Sequence, residues 1–291
     1  MFVFTTILNG LSLGGVYALI ALGYTMVYGI AKMLNFAHGD IIMVGGYTIF
    51  VFFNMTSMPI VAILFAVVFC VAIGVLTERF AYRPLRGASP LAVLITAIGV
   101  SYLLQSLAQV VFGAAPKKLD AFAEMGVFSL FGATIKVSTV VTLLVAVAIM
   151  VALTLFINCT KIGKAMLAVS EDKAAAQLMG INANAIITIT FVIGSALAAV
   201  AGAFYILLTP TISPTMGSMP GIKAFTAAVI GGIGSIPGAM LGGLLLGLIE
   251  TLCNSVPGLS SYTIAIEFAI LIVILLLRPT GLLGKKRREK V

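Results

Sequence analysis

The chain has 291 residues, of which 61% are hydrophobic and only 9% are charged, and its mean hydropathy is +1.21. An average soluble domain is about 25% charged, so this composition excludes a water-soluble enzyme and a nucleic-acid-binding protein. The net charge of +8 therefore indicates basic residues placed at a membrane surface, and not basic residues that bind a nucleic-acid phosphate backbone. We predict an all-α, polytopic helical membrane protein in which residues 1–291 form a single transmembrane domain.

Long apolar runs define the predicted helices in chain order. One spanning helix uses about 20 residues, so the charge-free runs 41–77 and 174–222 must each fold back or include loops. Pro59 divides the first run, because its ring interrupts the helical hydrogen-bond ladder. Residues 1–30 lack a basic leader region and are expected to be a retained first helix. The predicted spans are about 7–30, 41–57, 60–77, 91–112, 137–158, 186–208 and 262–278.

The basic residues are unevenly distributed, and short basic loops stay on the cytoplasmic side of a membrane. They concentrate in the loop 78–90, in the loop 159–185 and in the tail 279–291 with Arg278 before it. We expect these segments and Lys32 to be cytoplasmic, which puts the N-terminus outside and the C-terminus inside a plasma (inner) membrane. The expected outward-facing lysines are Lys117, Lys118, Lys136 and Lys223.

The same topology requires an even number of passes between Pro210 and Ser261, so residues 224–254 are predicted to form a hairpin of two short or broken helices. With this hairpin, about 8 to 9 transmembrane segments are expected. Irregular backbone at membrane depth survives only where protein or water surrounds it, which makes the turn a candidate contact for cargo. Alternatively, its glycines let helices pack closely. The candidate residues are Gly231, Gly232, Gly234, Ser235 and Gly238.

Ionisable side chains inside a span are costly and are functional-site hypotheses by default. Five polar residues are candidates for a translocation path: Asn35, His38, Asp40, Glu250 and Glu267. For the first three, a polar constriction competes with an interfacial turn in which Asn35 and Asp40 cap helix ends. Glu267 is expected to pair within the helix bundle.

Residues 159–185 form the one internal stretch that combines charged and apolar side chains in a helical pattern. Such a helix either docks in a groove of a partner protein or lies on lipid headgroups. Within it, Ala175 and Ala176 followed by Gly180 resemble the cytoplasmic coupling motif of bacterial ABC importers. Ala174 stands where that motif has Glu, with Glu171 and Asp172 just upstream. Gly163 completes the set of candidate coupling residues.

Further blocks extend this resemblance over nearly the whole chain. They include four blocks: Asn-Phe-Ala-His-Gly-Asp at 35–40, Tyr-Arg-Pro-Leu-Arg at 82–86, Gly-Gly-Ile-Gly-Ser-Ile-Pro-Gly at 231–238, and Arg-Pro-Thr-Gly-Leu-Leu-Gly at 278–284. In family order, these blocks resemble the LivH-type branched-chain amino acid permeases. The resemblance implies a second, related permease subunit, two cytoplasmic ATP-binding subunits and a periplasmic or extracellular substrate-binding protein as partners, together with membrane lipid.

No motif for a catalytic centre, a metal or a cofactor occurs. Cys70, Cys159 and Cys253 stand apart, and neither a GxxxxGK[ST] phosphate loop nor an HExxH pair is present. If transport is driven by ATP, another chain must hydrolyse it. We therefore expect no enzyme, but the permease of an importer for Leu, Ile, Val or related small amino acids or amides. The alternative is a stand-alone, ion-coupled secondary transporter or channel.

Overall fold

A computed structural model describes residues 2–123, 126–130 and 133–284. Eight helices in this part of the chain are long and apolar enough to cross a membrane, which confirms the predicted helical membrane fold. The twelve α-helices are α1 (Phe2–Ala31), α2 (His38–Thr56), α3 (Pro59–Thr77), α4 (Pro90–Phe112), α5 (Asp120–Ala123), α6 (Val137–Cys159), α7 (Lys161–Glu171), α8 (Lys173–Leu178), α9 (Ala183–Leu208), α10 (Ser218–Gly231), α11 (Ile236–Ser255) and α12 (Thr263–Leu277).

Short elements complete the described chain. A π-helical turn, Glu78–Tyr82, and a 3₁₀ turn, Arg83–Leu85, continue α3, and a second 3₁₀ turn, Ser260–Tyr262, precedes α12. Strand β1 (Lys117–Lys118) pairs antiparallel with β4 (Thr211–Ile212), and β2 (Val127–Leu130) pairs antiparallel with β3 (Ala133–Lys136). Pro59 begins α3, as predicted, because a proline lacks the N–H that the first helical turn leaves unpaired.

Helix α1 lies at the centre of the bundle, where α6, α9, α10 and α11 surround it. Its closest neighbour is α11, and glycines on both helices permit the approach. A Cβ atom added at Gly14 would stand 2.8 Å from Leu244 Cα, and one added at Gly10 would stand 3.0 Å from Leu248 Cα. The facing glycines Gly243 and Gly247 pack on the backbone of α1. The close helix packing that the sequence left open for the glycines of the hairpin is thus observed at Gly243 and Gly247.

The predicted Gly-rich hairpin is present, with one correction to its lengths. Helix α10 has 14 residues and is too short to span, but α11 has 20 residues and reaches the length of a full span. The sequence prediction shortened both helices because the middle of 224–254, at 231–238, is rich in turn and breaker residues and leaves little length on each side. Gly238, Gly242, Gly243 and Gly247 also have a low helix propensity. In the bundle these glycines are buried against α1 and α10, and the packing outweighs their low helix propensity.

The loops gather the charged segments at two ends. One end of the bundle, which we call the basic end, holds residues 29–35, 78–90, 159–183, 231–236 and 278–284. Contacts between these segments include the bond from Arg86 to Asn184 and that from Leu283 N–H to Gly231 O over 2.9 Å. The opposite end holds 56–59, 113–123, 208–213 and 255–262. Eight described basic residues lie at the basic end: Lys32, Arg79, Arg83, Arg86, Lys161, Lys164, Lys173 and Arg278. The rest of the basic tail, 285–291, lies outside the described residues.

Candidate functional site

A polar cluster lies at mid-depth, where two helices begin inside the bundle. Helix α10 begins at Ser218, 14 residues or about 21 Å from its end at the basic end. Helix α2 begins beside it, because an added Cβ at Gly39 would overlap the backbone of Gly217. The segments 32–37 and 209–217 reach this depth without forming a helix, shielded by surrounding protein as irregular membrane backbone must be.

Asp40 is the charged member of this Asp40 cluster and is 1% exposed. Gln105 Nε2, from α4, lies 2.9 Å from Asp40 Oδ1, 3.1 Å from Ser218 Oγ and 3.2 Å from Ser101 Oγ. One amide thus links α2, α4 and α10. The N-terminal ends of helices α2 and α10 each carry a partial positive charge, which favours the Asp40 carboxylate in the first turn of α2.

Asn35 and His38 lie beside this cluster. The sequence left open a turn in which Asn35 and Asp40 cap helix ends, but the side chains of these two residues bond Tyr82 and Gln105. Asn35 Oδ1 accepts a hydrogen bond of 2.8 Å from Tyr82 Oη, and Ala37, the N-cap residue of α2, makes no side-chain cap. The His38 ring is 1% exposed and meets the Tyr24 ring edge-on at 4.7 Å. His38, Asn35, Tyr24 and Phe225 line a cavity of about 10 Å³, which is room for about one water molecule.

A second buried cluster, the Lys223 cluster, joins α1, α10, α11 and α12. Lys223 Nζ lies 2.7 Å from Glu250 Oε1 and 3.3 Å from Glu267 Oε1, and Tyr17 Oη donates to Glu250 Oε2 over 2.7 Å. Glu267 does pair within the bundle, as expected. The prediction that Lys223 faces outward was wrong: its side chain is 7% exposed. Its partners lie 27 and 44 residues further along the chain, so counting charges in loops misplaced it.

The candidate coupling residues lie on α7 and α8 at the basic end. Gly163 is buried against the backbone of Phe156 and Ile157, where α7 turns back on α6. Asp172 Oδ1 accepts from the N–H groups of Ala174 and Ala175, which starts α8. Ala176 is buried, whereas Glu171, Ala175 and Gly180 are exposed.

Gly180 ends α8 in a left-handed conformation with φ +84°, which is unfavourable for residues with a side chain. The turn exposes two apolar side chains that the sequence reasoning missed: Leu178 is 89% exposed and Met179 is 82% exposed. Arg86 supports the neighbouring loop by bonding Glu78, and Thr188 Oγ1 donates to Glu78 Oε2 over 3.0 Å. Burial lowers the pKa of the Arg86 guanidinium, and the Glu78 carboxylate opposes that shift.

The Gly-rich turn lies apart from both clusters, at the basic end. Ser235 Oγ accepts from Gly238 N–H and starts α11, while Leu282 N–H and Leu283 N–H donate to the carbonyls of Ile230 and Gly231. Hydrogen bonds within the chain thus satisfy backbone groups at the end of α10 and at the start of α11. Gly232, with φ +106°, lies against the backbone of Thr280 and Gly284.

Comparison with known proteins identifies the family. Residues 6–275 match the profile of the family described as branched-chain amino acid transport system / permease component. The chain belongs to this family. It is 45% identical to the high-affinity branched-chain amino acid permease BraD of Pseudomonas aeruginosa, over 98% of the chain and 97% of that protein. The LivH permease of Escherichia coli K12 is 45% identical over 97% of the chain and 96% of that protein.

Sequence similarity extends to a permease whose name gives a different cargo. The ribose import permease RbsC of Escherichia coli K12 is 24% identical over 95% of the chain and 86% of that protein. The resemblance deduced from the motifs is therefore confirmed at the level of the family. The chain is a multi-pass membrane permease.

Proposed function

We propose that this permease carries leucine, isoleucine, valine or closely related amino acids into the cytoplasm, driven by ATP hydrolysis in separate subunits. The cargo assignment is supported by 45% identity over nearly the full length to the amino acid permeases, against 24% to the ribose permease. A second permease subunit, two ATP-binding subunits and an external binding protein would complete the transporter.

The observation that carries the ATP-driven mechanism is the exposed tip of α8. Two large apolar side chains, Leu178 and Met179, stand out from the basic end beside the charged residues of α7. Water-exposed apolar groups of this size are typical of a surface that a partner covers. The positive-inside rule assigns the basic end to the cytoplasm, where ATP-binding subunits would reach the tip. Residues 159–185 would then be the coupling loop.

The Asp40 cluster is the proposed contact along the path. A zwitterion brings one ammonium and one carboxylate to mid-depth, and both need polar partners there. The Asp40 carboxylate suits the ammonium, and the N-termini of α2 and α10 favour the carboxylate. The path would therefore pass Asp40, with Asn35 and His38 beside it.

The test is a reconstitution with a matched pair of variants. The chain is co-expressed with the ATP-binding, second permease and binding-protein subunits, and leucine uptake is measured with and without ATP on the cytoplasmic side. Leu178→Asp should abolish co-purification of the ATP-binding subunits and ATP-dependent uptake, because a charge opposes burial of the tip. Leu283→Asp is the control, since Leu283 is also exposed at the basic end but lies outside the loop. Unchanged uptake in Leu178→Asp would contradict the proposed coupling.

One observation favours the alternative of a stand-alone, ion-coupled transporter. Glu250 and Glu267 are paired carboxylates inside the membrane, which such transporters often use. In this chain, however, both already share the Lys223 ammonium. Uptake by the purified chain alone on a proton or sodium gradient would establish the alternative and overturn the importer.

A further inference from the structure

The outward surface of α4 differs from those of the other peripheral helices. Helices α3, α6 and α12 present apolar side chains such as Val68, Leu144 and Val273, which are 63%, 65% and 52% exposed. Helix α4 also exposes apolar side chains, such as Ile95 at 60% and Val110 at 84%, but it adds three polar ones: Tyr102, which is 66% exposed, Ser106 and Gln109. These three residues follow the i, i+4, i+7 spacing that places side chains on one helix face. We call them the α4 polar stripe.

The depth of Tyr102 and Ser106 rules out an ordinary interfacial belt, whereas Gln109 lies in the last turn of α4. Tyr102 follows Pro90 by 12 positions and Ser106 precedes Phe112 by 6, which puts them about 18 Å and about 9 Å inside the two ends of the helix. Interfacial tyrosines lie at the headgroups and not at this depth. In lipid, the Ser106 hydroxyl would lose water without gaining a partner from the hydrocarbon.

The stripe is continuous with the buried polar cluster. Gln105 lies on α4 between the inner and outer faces, and its amide reaches Asp40 and Ser218. Ser101, one turn earlier, lies 3.2 Å from the same amide nitrogen. Polar groups therefore run without interruption from the interior of the bundle to the outward face of α4. No such polar connection joins the Asp40 cluster to the outward faces of α3, α6 or α12 among the described residues.

We propose that the α4 polar stripe lines the water-filled translocation path, with the amino acid zwitterion passing between this face and the second permease subunit. The inference rests on the proposed function and adds to it the wall of the path. Water solvates the hydroxyls and the amide of the stripe when the path is empty. The same groups replace part of the hydration of the ammonium and carboxylate during passage, and Gln105 connects them to Asp40, the proposed contact for the ammonium.

Cysteine accessibility in the assembled transporter tests this placement. In a background in which Cys70, Cys159 and Cys253 are replaced by alanine, Ser106→Cys and Gln109→Cys are compared with Val68→Cys and Leu144→Cys on the apolar faces. The probe is a charged, membrane-impermeant methanethiosulfonate reagent, which reacts with the thiolate formed in water. The stripe positions should react at least about tenfold faster than the controls. Equal, slow rates would place the stripe in lipid or in a dry contact and would overturn the proposal.

A bulky substitution gives an independent measurement. Ser106→Trp should reduce leucine uptake at least tenfold while the ATP-binding subunits still co-purify, because the side chain obstructs the path and not the coupling loop. Leu144→Trp, on an apolar face, should leave uptake unchanged. Normal uptake by Ser106→Trp would refute the path. If the unmodified complex carries no branched-chain amino acid yet Ser106→Cys reacts rapidly, the proposed cargo fails and the water-filled path stands.

Discussion

Removing the Lys223 ammonium is the most severe single change that the Lys223 cluster predicts. Lys223→Met leaves the Glu250 and Glu267 carboxyl groups buried without their shared cation, and their side chains are only 14% and 1% exposed. Breaking a buried ion pair by deleting one partner costs about 3 to 5 kcal/mol, because the remaining charge has no compensation. We expect a loss of stability of about 4 kcal/mol, with the unfolding temperature lowered by about 10 °C.

Glu267→Gln is the matched control for this prediction. It removes one carboxylate but leaves Lys223 Nζ bound to Glu250 at 2.7 Å, so we expect a smaller loss of about 2 kcal/mol. The double variant Lys223→Met with Glu267→Gln should be more stable than Lys223→Met alone, since only one uncompensated carboxylate remains.

The assay is thermal unfolding of the purified transporter in one detergent, followed by the loss of monodisperse protein on size exclusion. Lys223→Met should unfold first, the double variant next and Glu267→Gln last. If Lys223→Met unfolds within about 2 °C of the parent, or if Glu267→Gln is the less stable single variant, the cluster does not hold the bundle together as described.

Three further predictions follow from the helix contacts and the charges. Gly243→Val should nearly abolish folded protein, because its Cβ would overlap the backbone of α1, whereas Gly87→Val meets nothing within 4 Å and should express normally. The fluorescence of a C-terminal fluorescent-protein fusion on size exclusion measures both variants. Asp172→Ala should destabilise α8 by about 1 kcal/mol through loss of its cap, which co-purification of the ATP-binding subunits would report as weaker binding. A reporter that is active only in the cytoplasm should be active when it is fused after Val291, and one that is active only outside should be silent; activity of the external reporter would invert the proposed topology.

The spanning helices were predictable because each is a local property of the chain. Apolar runs of spanning length appear in the sequence whatever packs against them, and Pro59 marks a boundary through its own ring. The predicted ends therefore lie within a few residues of the observed ones, as for 137–158 and α6. The hairpin was predictable because cytoplasmic basic segments on both sides of it require an even number of membrane passes between them.

The clusters could not be predicted because their members are brought together by tertiary packing. Gln105 lies 65 residues from Asp40, and Tyr82 lies 47 residues from Asn35. Asp40 itself was a candidate, but nothing near it in sequence points to an amide on α4. Lys223 is the clearest failure: a lone lysine before an apolar stretch has the same local pattern whether it lies in a loop or binds two carboxylates.

The central position of α1 has a consequence for how the protein is made. Tyr17 is synthesised well before its partner Glu250, which lies 233 residues later in the chain. At ribosomal rates of 5–20 residues per second, α1 waits about 10 to 50 s in the membrane before α11 exists to cover it. During that interval its glycine face, with Gly10 and Gly14, is open to any other helix that offers small residues. Biogenesis of this permease therefore depends on keeping its first helix uncommitted until its last partners are inserted.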